Sequence, residues 1–274
     1  MRRSLFFPLM TYPDATSESV VASAANFAGK YAADLAGWVV DIAIPHVANP
    51  WSLPLIDMPR MVKEAEGTSR NNGARLAALL QECCKTQAVS LDSAKMRLDL
   101  PEITDAAAAQ ARVHDLTVTQ SGADFRELNE TLVFGSGRPV LLLPAKEWNG
   151  AVDHVAIAWD GGRAAARALG DALWLVERAA RVSILFSGKD KATSEPAAGR
   201  LSEALARRGV QAALRPVDTA GRQIGDALQD EAIAVGADLL VMGGYGHSRL
   251  REFVLGGATA GVLSNPLLPV LISH

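Results

Sequence analysis

The sequence predicts an α/β fold in which each half of the chain forms a doubly wound, parallel sheet of five strands. Short apolar runs alternate with stretches of helical periodicity in the second half, and the first half shows the same alternation less regularly. The runs are short and apolar throughout, as expected of strands that are covered on both faces. Strands separated by helices favour right-handed crossovers and therefore a parallel sheet.

In the second half, the residues at 165, 169, 173 and 176 repeat at helical spacing after the first apolar run. Gly209 and Gly236 follow later helical stretches and suit the left-handed residue that ends a helix. The predicted strands lie at residues 154–160, 182–186, 211–217, 238–243 and 269–272. The predicted helices lie at residues 163–178, 201–208 and 224–235.

The first half resembles the second closely enough to predict a tandem duplication. Residues 115–119 correspond to 238–242, and Asp14 and Asp160 end the two first strands 146 positions apart. We therefore predict two domains, at residues 1–147 and 148–274, with the boundary in a polar stretch that contains Asn149-Gly150. The predicted elements of the first half are strands at 5–10, 38–44, 95–100, 115–119 and 138–143 and helices at 17–35 and 75–84.

Residues 47–67 are rich in proline and are too many for an ordinary connection between a strand and a helix. Two interpretations are open. The segment is either a simple surface loop or an ordered excursion that serves as a lid or a partner surface.

Composition excludes several classes of function. The formal net charge of the 274 residues is −3, which gives no basic stripe for nucleic acid and no polybasic membrane patch. The apolar run at residues 5–10 fits a first buried strand better than a signal peptide, and the chain lacks the 18 or more consecutive apolar residues that a spanning helix needs. The two cysteines, Cys83 and Cys84, are adjacent and fit a reducing cytoplasm.

The motif that carries chemistry occupies residues 243–259. It begins at the carboxyl end of the fourth strand, where open α/β sheets bind ligands. Gly243 and Gly246 allow a tight turn and a close backbone approach to a ligand. Gly256-Gly257 open a short helix whose free N–H groups suit an anion, and Thr259 adds a hydroxyl donor. The motif predicts a phosphate-bearing ligand, most simply a nucleotide, although paired glycine turns can also serve packing alone.

Other motifs for phosphate or hydrolytic chemistry are absent from the sequence. It contains no G-x-x-x-x-G-K-[ST] loop, no G-x-G-x-x-G after a first strand, no G-x-S-x-G elbow and no H-E-x-x-H. It also shows no paired carboxylates and no metal-ligand spacing. We therefore name no catalytic residue and no metal ligand, and we expect nucleotide binding in preference to hydrolysis.

These motifs resemble those of the universal stress protein family, in particular its tandem two-domain members. The ATP-binding signature of that family is G-x-x-G, nine residues and then G-[ST], which Gly243, Gly246 and Gly256 match in type and spacing. The run Pro-Val-Leu-Ile at 269–272 is similar to the family's final strand. Asp160 stands where the family's V-D-G-S aspartate contacts adenosine. The resemblance is specific across residues 155–272 and only topological before them.

The resemblance implies a flavodoxin-like, Rossmann-like sheet in each domain and ATP, ADP or AMP as ligand, with Mg²⁺ as a further expectation. Domains of this family pair through their last strands, so residues 140–143 and 270–272 are expected to meet, and full chains are expected to form a homodimer. The expected site consists of Ala158, Trp159, Asp160, Gly243, Gly246, His247, Gly256, Gly257 and Thr259.

Two departures from the family pattern limit this expectation. Gly257 replaces the first hydroxyl of the signature, although Thr259 matches the next hydroxyl. In the first half, Thr-Gln-Ser-Gly at 119–122 replaces the first glycine arm, so we expect one site, in the second domain. Two of the expected site residues also have a structural interpretation. Asp160 also suits the cap of the following helix, and His247 also suits an exposed loop.

The resulting hypothesis is a cytoplasmic stress-response sensor or switch that binds ATP or a related nucleotide. Two alternatives remain at this point. The first is a weak ATPase. The second is a nucleotide-independent scaffold or a binder of an apolar ligand, which predicts an apolar pocket in the first half.

Overall fold

A computed structural model describes residues 2–45, 57–188, 191–244, 261–263 and 265–274. The contacts divide the chain into two compact units, one of residues 1–119 with 146–150 and the other of residues 120–145 with 151–274. Packing thus places residues 120–145 with the second half of the chain and residues 146–150 with the first half. The linear domain boundary at residues 147 and 148 stays a prediction.

The first unit is built on four parallel strands in the order β3-β2-β1-β4. Its elements in chain order are β1 (Ser4–Leu9), α1 (Glu18–Lys30), β2 (Asp34–Ala43), α2 (Met58–Thr86), β3 (Leu91–Asp99), α3 (Ile103–Ala111) and β4 (Leu116–Gln120). Strand β1 pairs with both β2 and β4 and buries five of its six residues, which explains why its sequence is apolar on both faces.

The second unit contains six strands in the order β8-β7-β6-β9-β10-β5. Its elements are α4 (Arg126–Gly135), β5 (Val140–Leu143), β6 (His154–Ala158), α5 (Arg163–Val176), β7 (Arg181–Ser187), α6 (Lys191–Ala206), β8 (Ala212–Val217), α7 (Ile224–Ala234), β9 (Leu239–Gly243) and β10 (Val270–Ser273). All pairs are parallel except β5 with β10, which run antiparallel with Leu141 opposite Leu271. The expected meeting of residues 140–143 with 270–272 is therefore present.

The same hydrogen bonds recur at the start of the first strand in each half. Asp115 accepts the backbone N–H of Ser4 at 2.9 Å, and Asp238 accepts that of His154 at 2.8 Å. The residues after these aspartates, Leu116 and Leu239, pair with Leu5 and Val155, the residues after Ser4 and His154. This repetition supports the predicted duplication and gives it a register.

That register corrects one detail of the sequence comparison. Since Ser4 corresponds to His154, the counterpart of Asp160 is Met10 and not Asp14. The sequence comparison aligned the two acids because each follows an apolar run, whereas strand pairing places Asp14 four residues farther from its strand. Asp14 is thus not the structural equivalent of the candidate ligand-binding acid.

Helix α2 differs most from its predicted form. It begins at Met58, so residues 58–67 are helical and not a loop, while residues 46–56 lie outside the described part. Asp57 caps the helix by accepting the N–H of Arg60, and Pro59 falls in the first turn, where its missing N–H costs nothing. A proline that was interpreted as a loop signal is therefore part of a helix start. Helices α3 and α4 were not predicted at all.

The connection between the halves is docked on α1. The backbone N–H of Trp148 donates to Ser23 Oγ at 2.9 Å, and Asn26 donates to the carbonyl of Trp148 at 3.1 Å. The Trp148 ring stacks on Phe27 with ring centres 5.5 Å apart. Gly150 follows with φ of 77°, and a Cβ there would lie 2.5 Å from the backbone nitrogen of Phe27. The connection is therefore held at fixed points of α1.

We predict that Gly150→Ala lowers the free energy of unfolding by about 2–4 kcal/mol, since a methyl group must both adopt a left-handed backbone and displace α1. Urea unfolding of the purified chain measures this. Gly209→Ala is the matched control, because Gly209 also has a positive φ of 81° but has no atom within 4 Å of an added Cβ. Only the backbone cost of about 1–2 kcal/mol is expected there. Equal losses in the two variants would contradict the close contact.

His154 gives a pH-dependent prediction. Its ring is buried and lies 2.9 Å from Ser183 Oγ. Burial lowers the pKa of His154, and the charge of Arg181 lowers it further, against smaller opposing effects of the Gly236 backbone and of Asp238. A lowered pKa means that the folded state binds fewer protons than the unfolded chain, whose histidine titrates near pH 6.5. Stability from this group is present above that pH and is lost as the pH falls below it.

We therefore expect the unfolding free energy of the wild-type protein to decrease more between pH 7.5 and pH 5 than that of His154→Asn. Urea titrations of both proteins at matched ionic strength provide the comparison. Parallel pH profiles would show that His154 does not contribute to the acid sensitivity of the fold.

Candidate functional site

The candidate site lies at the carboxyl ends of β6 and β9. These two strands are adjacent and parallel, with Ile157 opposite Val241. From β6 the chain continues through α5 to β7 on one side, whereas from β9 it leads to β10 on the other side. Connections that leave neighbouring strands in opposite directions open a crevice at the strand ends, and this crevice is where open α/β sheets bind ligands.

Asp160 stands at one edge of this crevice, two residues after β6. Its side chain is exposed, and one carboxylate oxygen accepts the N–H of Gly162 at 2.7 Å. Gly161, with φ of 75°, makes the turn, and Gly162 is the N-cap of α5. The carboxylate thus holds the turn that precedes the helix but is not its N-cap, which was the alternative for this residue. Its exposure at the strand end is also compatible with contact to a ligand.

Ala158 and Trp159 connect this turn to the sheet. Ala158 is the last residue of β6 and is half-buried. Trp159 extends the pairing with β7, since its backbone N–H donates to the carbonyl of Leu185 at 2.8 Å. Its indole Nε1 is buried and has no hydrogen-bond partner in the described ranges. Trp159 therefore continues the pairing of β6 with β7 by one residue, into the turn that carries Asp160.

Gly243 ends β9 on the other side of the crevice. A Cβ at this position would lie 2.5 Å from both the carbonyl carbon of Ala164 and the backbone nitrogen of Ala165, at the start of α5. The absence of a side chain thus allows β9 and α5 to pack closely. The sequence suggested a close approach to a ligand at Gly243; the described contacts show a close approach to a helix.

The structure therefore brings Ala158, Trp159, Asp160 and Gly243 together at neighbouring strand ends. The other predicted site residues, Gly246, His247, Gly256, Gly257 and Thr259, lie outside the described residues.

In the first unit, side chains of α2 reach the corresponding strand end. Asn72 donates to the carbonyl of Thr11 at 3.0 Å, and the hydroxyl of Thr11 contacts Ser69 Oγ at 2.7 Å and also donates to the carbonyl of Val40. Thr11 directly follows Met10, the counterpart of Asp160. Polar side chains from a helix thus take up the backbone groups beside this position. The sequence predicted a helix only at residues 75–84, so it did not indicate that a helix of residues 58–86 would bring Ser69 and Asn72 to this strand end.

The first unit also has a groove of about 390 Å³ between α2 and β3. Its lining mixes apolar and polar residues, namely Ala77, Gln81, Cys84, Lys85, Val89, Leu91 and Ser93. This is not the apolar pocket that the apolar-ligand alternative predicted.

Burial raises the pKa of Cys84 to about 11, with a smaller contribution from Cys83, so the thiol is protonated and unreactive at neutral pH.

Comparison with known proteins supports this description of the second unit. The model of the universal stress protein family matches residues 151–274, which contain β6 to β10 and the whole candidate site. Residues 151–274 therefore form a universal stress protein domain. No curated protein matches the chain.

Solved structures share the fold of the whole chain. A universal stress protein from Archaeoglobus fulgidus DSM 4304 superposes with a TM-score of 0.69 at 13% identity, over 99% of this chain and 98% of that one. A protein of unknown function from Pseudomonas aeruginosa PAO1 superposes with a TM-score of 0.59 at 16% identity, over 99% and 92% of the two chains. At these identities the likeness concerns the fold, which is the tandem α/β arrangement of a universal stress protein.

Two features are absent from the part of the chain that the structure describes. None of its described helices is both long and apolar enough to cross a membrane. Among the described residues, no three histidine, cysteine, aspartate or glutamate side chains are grouped so that they could hold a metal ion.

We predict that Gly243→Ala lowers the melting temperature, since the new methyl group must separate β9 from the start of α5 at a cost of about 1–3 kcal/mol. Gly170→Ala in α5 is the control. Gly170 has no atom within 4 Å of an added Cβ, so alanine there is expected to stabilise the helix by about 0.5–1 kcal/mol. Differential scanning calorimetry of the two variants should show shifts of opposite sign. Shifts of the same sign would contradict the packing role of Gly243.

Proposed function

We propose that the universal stress protein domain binds ATP, or a related nucleotide such as ADP or AMP, at the carboxyl ends of β6 and β9. The observation that carries the proposal is the placement of Asp160 and Gly243 on either side of the crevice between these two strands. Both residues belong to the motifs that relate this sequence to nucleotide-binding members of the family. Nucleotide occupancy would then act as a stress-response signal in the cytoplasm.

Asp160 is proposed to accept hydrogen bonds from the nucleoside. A carboxylate accepts from two donors at once, as neighbouring ribose hydroxyls require. Asp160 is exposed and lies beyond the last buried residues of β6, so its charge stays solvated in the free protein. The turn of Gly161 and Gly162 fixes its backbone through the hydrogen bond to Gly162. The carboxylate is thereby oriented before any ligand binds, which lowers the entropic cost of binding.

The glycine motif that begins at Gly243 is proposed to hold the phosphates. Gly246, Gly256 and Gly257 would offer backbone N–H groups, and Thr259 would offer a hydroxyl, as the sequence pattern predicts. With a net charge of −3, the chain does not attract anions in general, so local N–H groups must supply the affinity. Mg²⁺ would accompany the phosphates as part of the ligand. Binding without turnover is the primary proposal, and a homodimer is proposed for the full chain.

Native mass spectrometry of the protein as purified is the first test, followed by isothermal titration with ATP, ADP and AMP, with and without Mg²⁺. A co-purifying nucleotide or a saturable heat would support the proposal. A protein that carries no nucleotide and gives no heat at millimolar ligand would refute it. Release of phosphate that depends on the metal and is reduced in Gly246→Asp would instead favour the weak ATPase.

Two variants test the site itself. Asp160→Asn keeps an oxygen that can accept the N–H of Gly162 but removes the negative charge, so the turn should persist while affinity falls roughly tenfold, the equivalent of about 1.4 kcal/mol. Gly246→Asp places a carboxylate against the phosphates and should abolish binding.

The matched control is Asp14→Asn. Asp14 is also exposed and also follows a first strand, but it lies in the first unit and is displaced from the position that corresponds to Asp160. Its substitution should leave the affinity unchanged. An equal loss of affinity in Asp14→Asn and Asp160→Asn would contradict the location of the site.

A further inference from the structure

The start of the glycine motif is held from the end of β10. Gly244 follows β9, and its N–H donates to the carbonyl of Ser273 at 2.7 Å. Its carbonyl accepts a hydrogen bond from Nδ1 of His274 at 2.9 Å. Strands β9 and β10 are in register up to Gly243 and Ser273, so these bonds continue the pairing by one residue. The second bond comes from a side chain and depends on the identity of His274.

The His274 ring is itself fixed in place. It meets the Phe134 ring of α4 edge to face, with centres 5.1 Å apart and an angle of 78° between the planes. A Cβ at Gly244 would lie 3.3 Å from Val133 and 3.6 Å from Phe134 and Ile272. Gly244 is therefore enclosed on one side by α4 and bonded on the other to the end of β10. Both peptide groups of this residue have a defined direction.

We propose that His274 is a positioning residue for the nucleotide-binding glycine motif. The bond from His274 fixes the direction of the Gly244 carbonyl at the end of β9, where the motif begins. Without this bond the carbonyl gains rotational freedom, and ligand binding has to order it. Fixing the backbone of one residue has a free-energy cost that corresponds to roughly a tenfold change in affinity. This proposal rests on the proposed function, because it concerns the same site.

Three proteins separate the hydrogen bond from ring packing. His274→Leu removes the donor but leaves an apolar side chain against Phe134. His274→Asn supplies a side-chain N–H close to the position of Nδ1. Isothermal titration with ATP is expected to give a roughly tenfold higher Kd for His274→Leu than for the wild type, and a Kd for His274→Asn within about threefold of the wild type.

Melting temperatures without nucleotide complete the test, because a residue with a merely structural role changes stability and not affinity. We expect the three proteins to melt within about 2 °C of one another, since a single partly exposed hydrogen bond contributes little to global stability. Unchanged affinity in His274→Leu would overturn the proposal, and so would equal losses in the leucine and asparagine variants.

The carbonyl carbon chemical shift of Gly244 separates the positioning role from the proposed function, because it reports on the hydrogen bond that this carbonyl accepts from His274. In His274→Leu it is expected to differ from the wild-type value, with or without nucleotide, and His274→Asn is expected to bring it back toward that value. An unchanged shift in His274→Leu would overturn the positioning role even where the wild type binds ATP. A wild type that binds no nucleotide would remove the proposed function and with it the positioning role, whatever the carbonyl shift shows.

Discussion

The parallel pairing of β6 with β9 is the constraint on which the candidate site depends. Both strands are buried, so their side chains are apolar and their backbone groups are used within the sheet. Polar chemistry can therefore begin only where the strands end. The chain continues from these two ends to strands on opposite sides, and Asp160 and Gly243 lie where such strand ends commonly bind ligands. The register that builds the core thus also determines where a ligand can reach the backbone.

Small side chains allow helix α5 to pack closely against the sheet. Helix α5 buries Ala164, Ala165, Ala168 and Ala172, and its first turn lies against Gly243. The same turn is started by Asp160 through Gly162. Consequently the two residues that flank the crevice are linked through the start of one helix. A displacement of β9 from α5 would also alter the turn that carries Asp160, so the packing of the helix and the position of this carboxylate are not independent.

The sequence was sufficient for those features that follow from local patterns. We predicted the order of strands and helices in the second half, the duplication, and the meeting of residues 140–143 with 270–272. These features follow from patterns that can be read in the sequence itself, namely apolar runs, glycines that end helices and a family signature. Features that depend on packing were not visible in the sequence. The close contact of Gly243 with Ala164 and Ala165 was missed, because nothing in the sequence shows that these residues lie beside it. Asp14 looked equivalent to Asp160 because strand register is not visible in a run of apolar letters.

The difference between the two halves follows from one connection. After β2 the first half continues into α2, a helix of 29 residues, and Ser69 and Asn72 of this helix bond to Thr11 at the end of β1. After β7 the second half continues into α6, of 16 residues, and the neighbouring strand end carries an exposed Asp160. Backbone groups that are already paired with a helix offer little to a ligand, since binding would first have to break those bonds. The two halves thus differ at equivalent strand ends, since one is bonded to side chains of a helix and the other carries an exposed carboxylate.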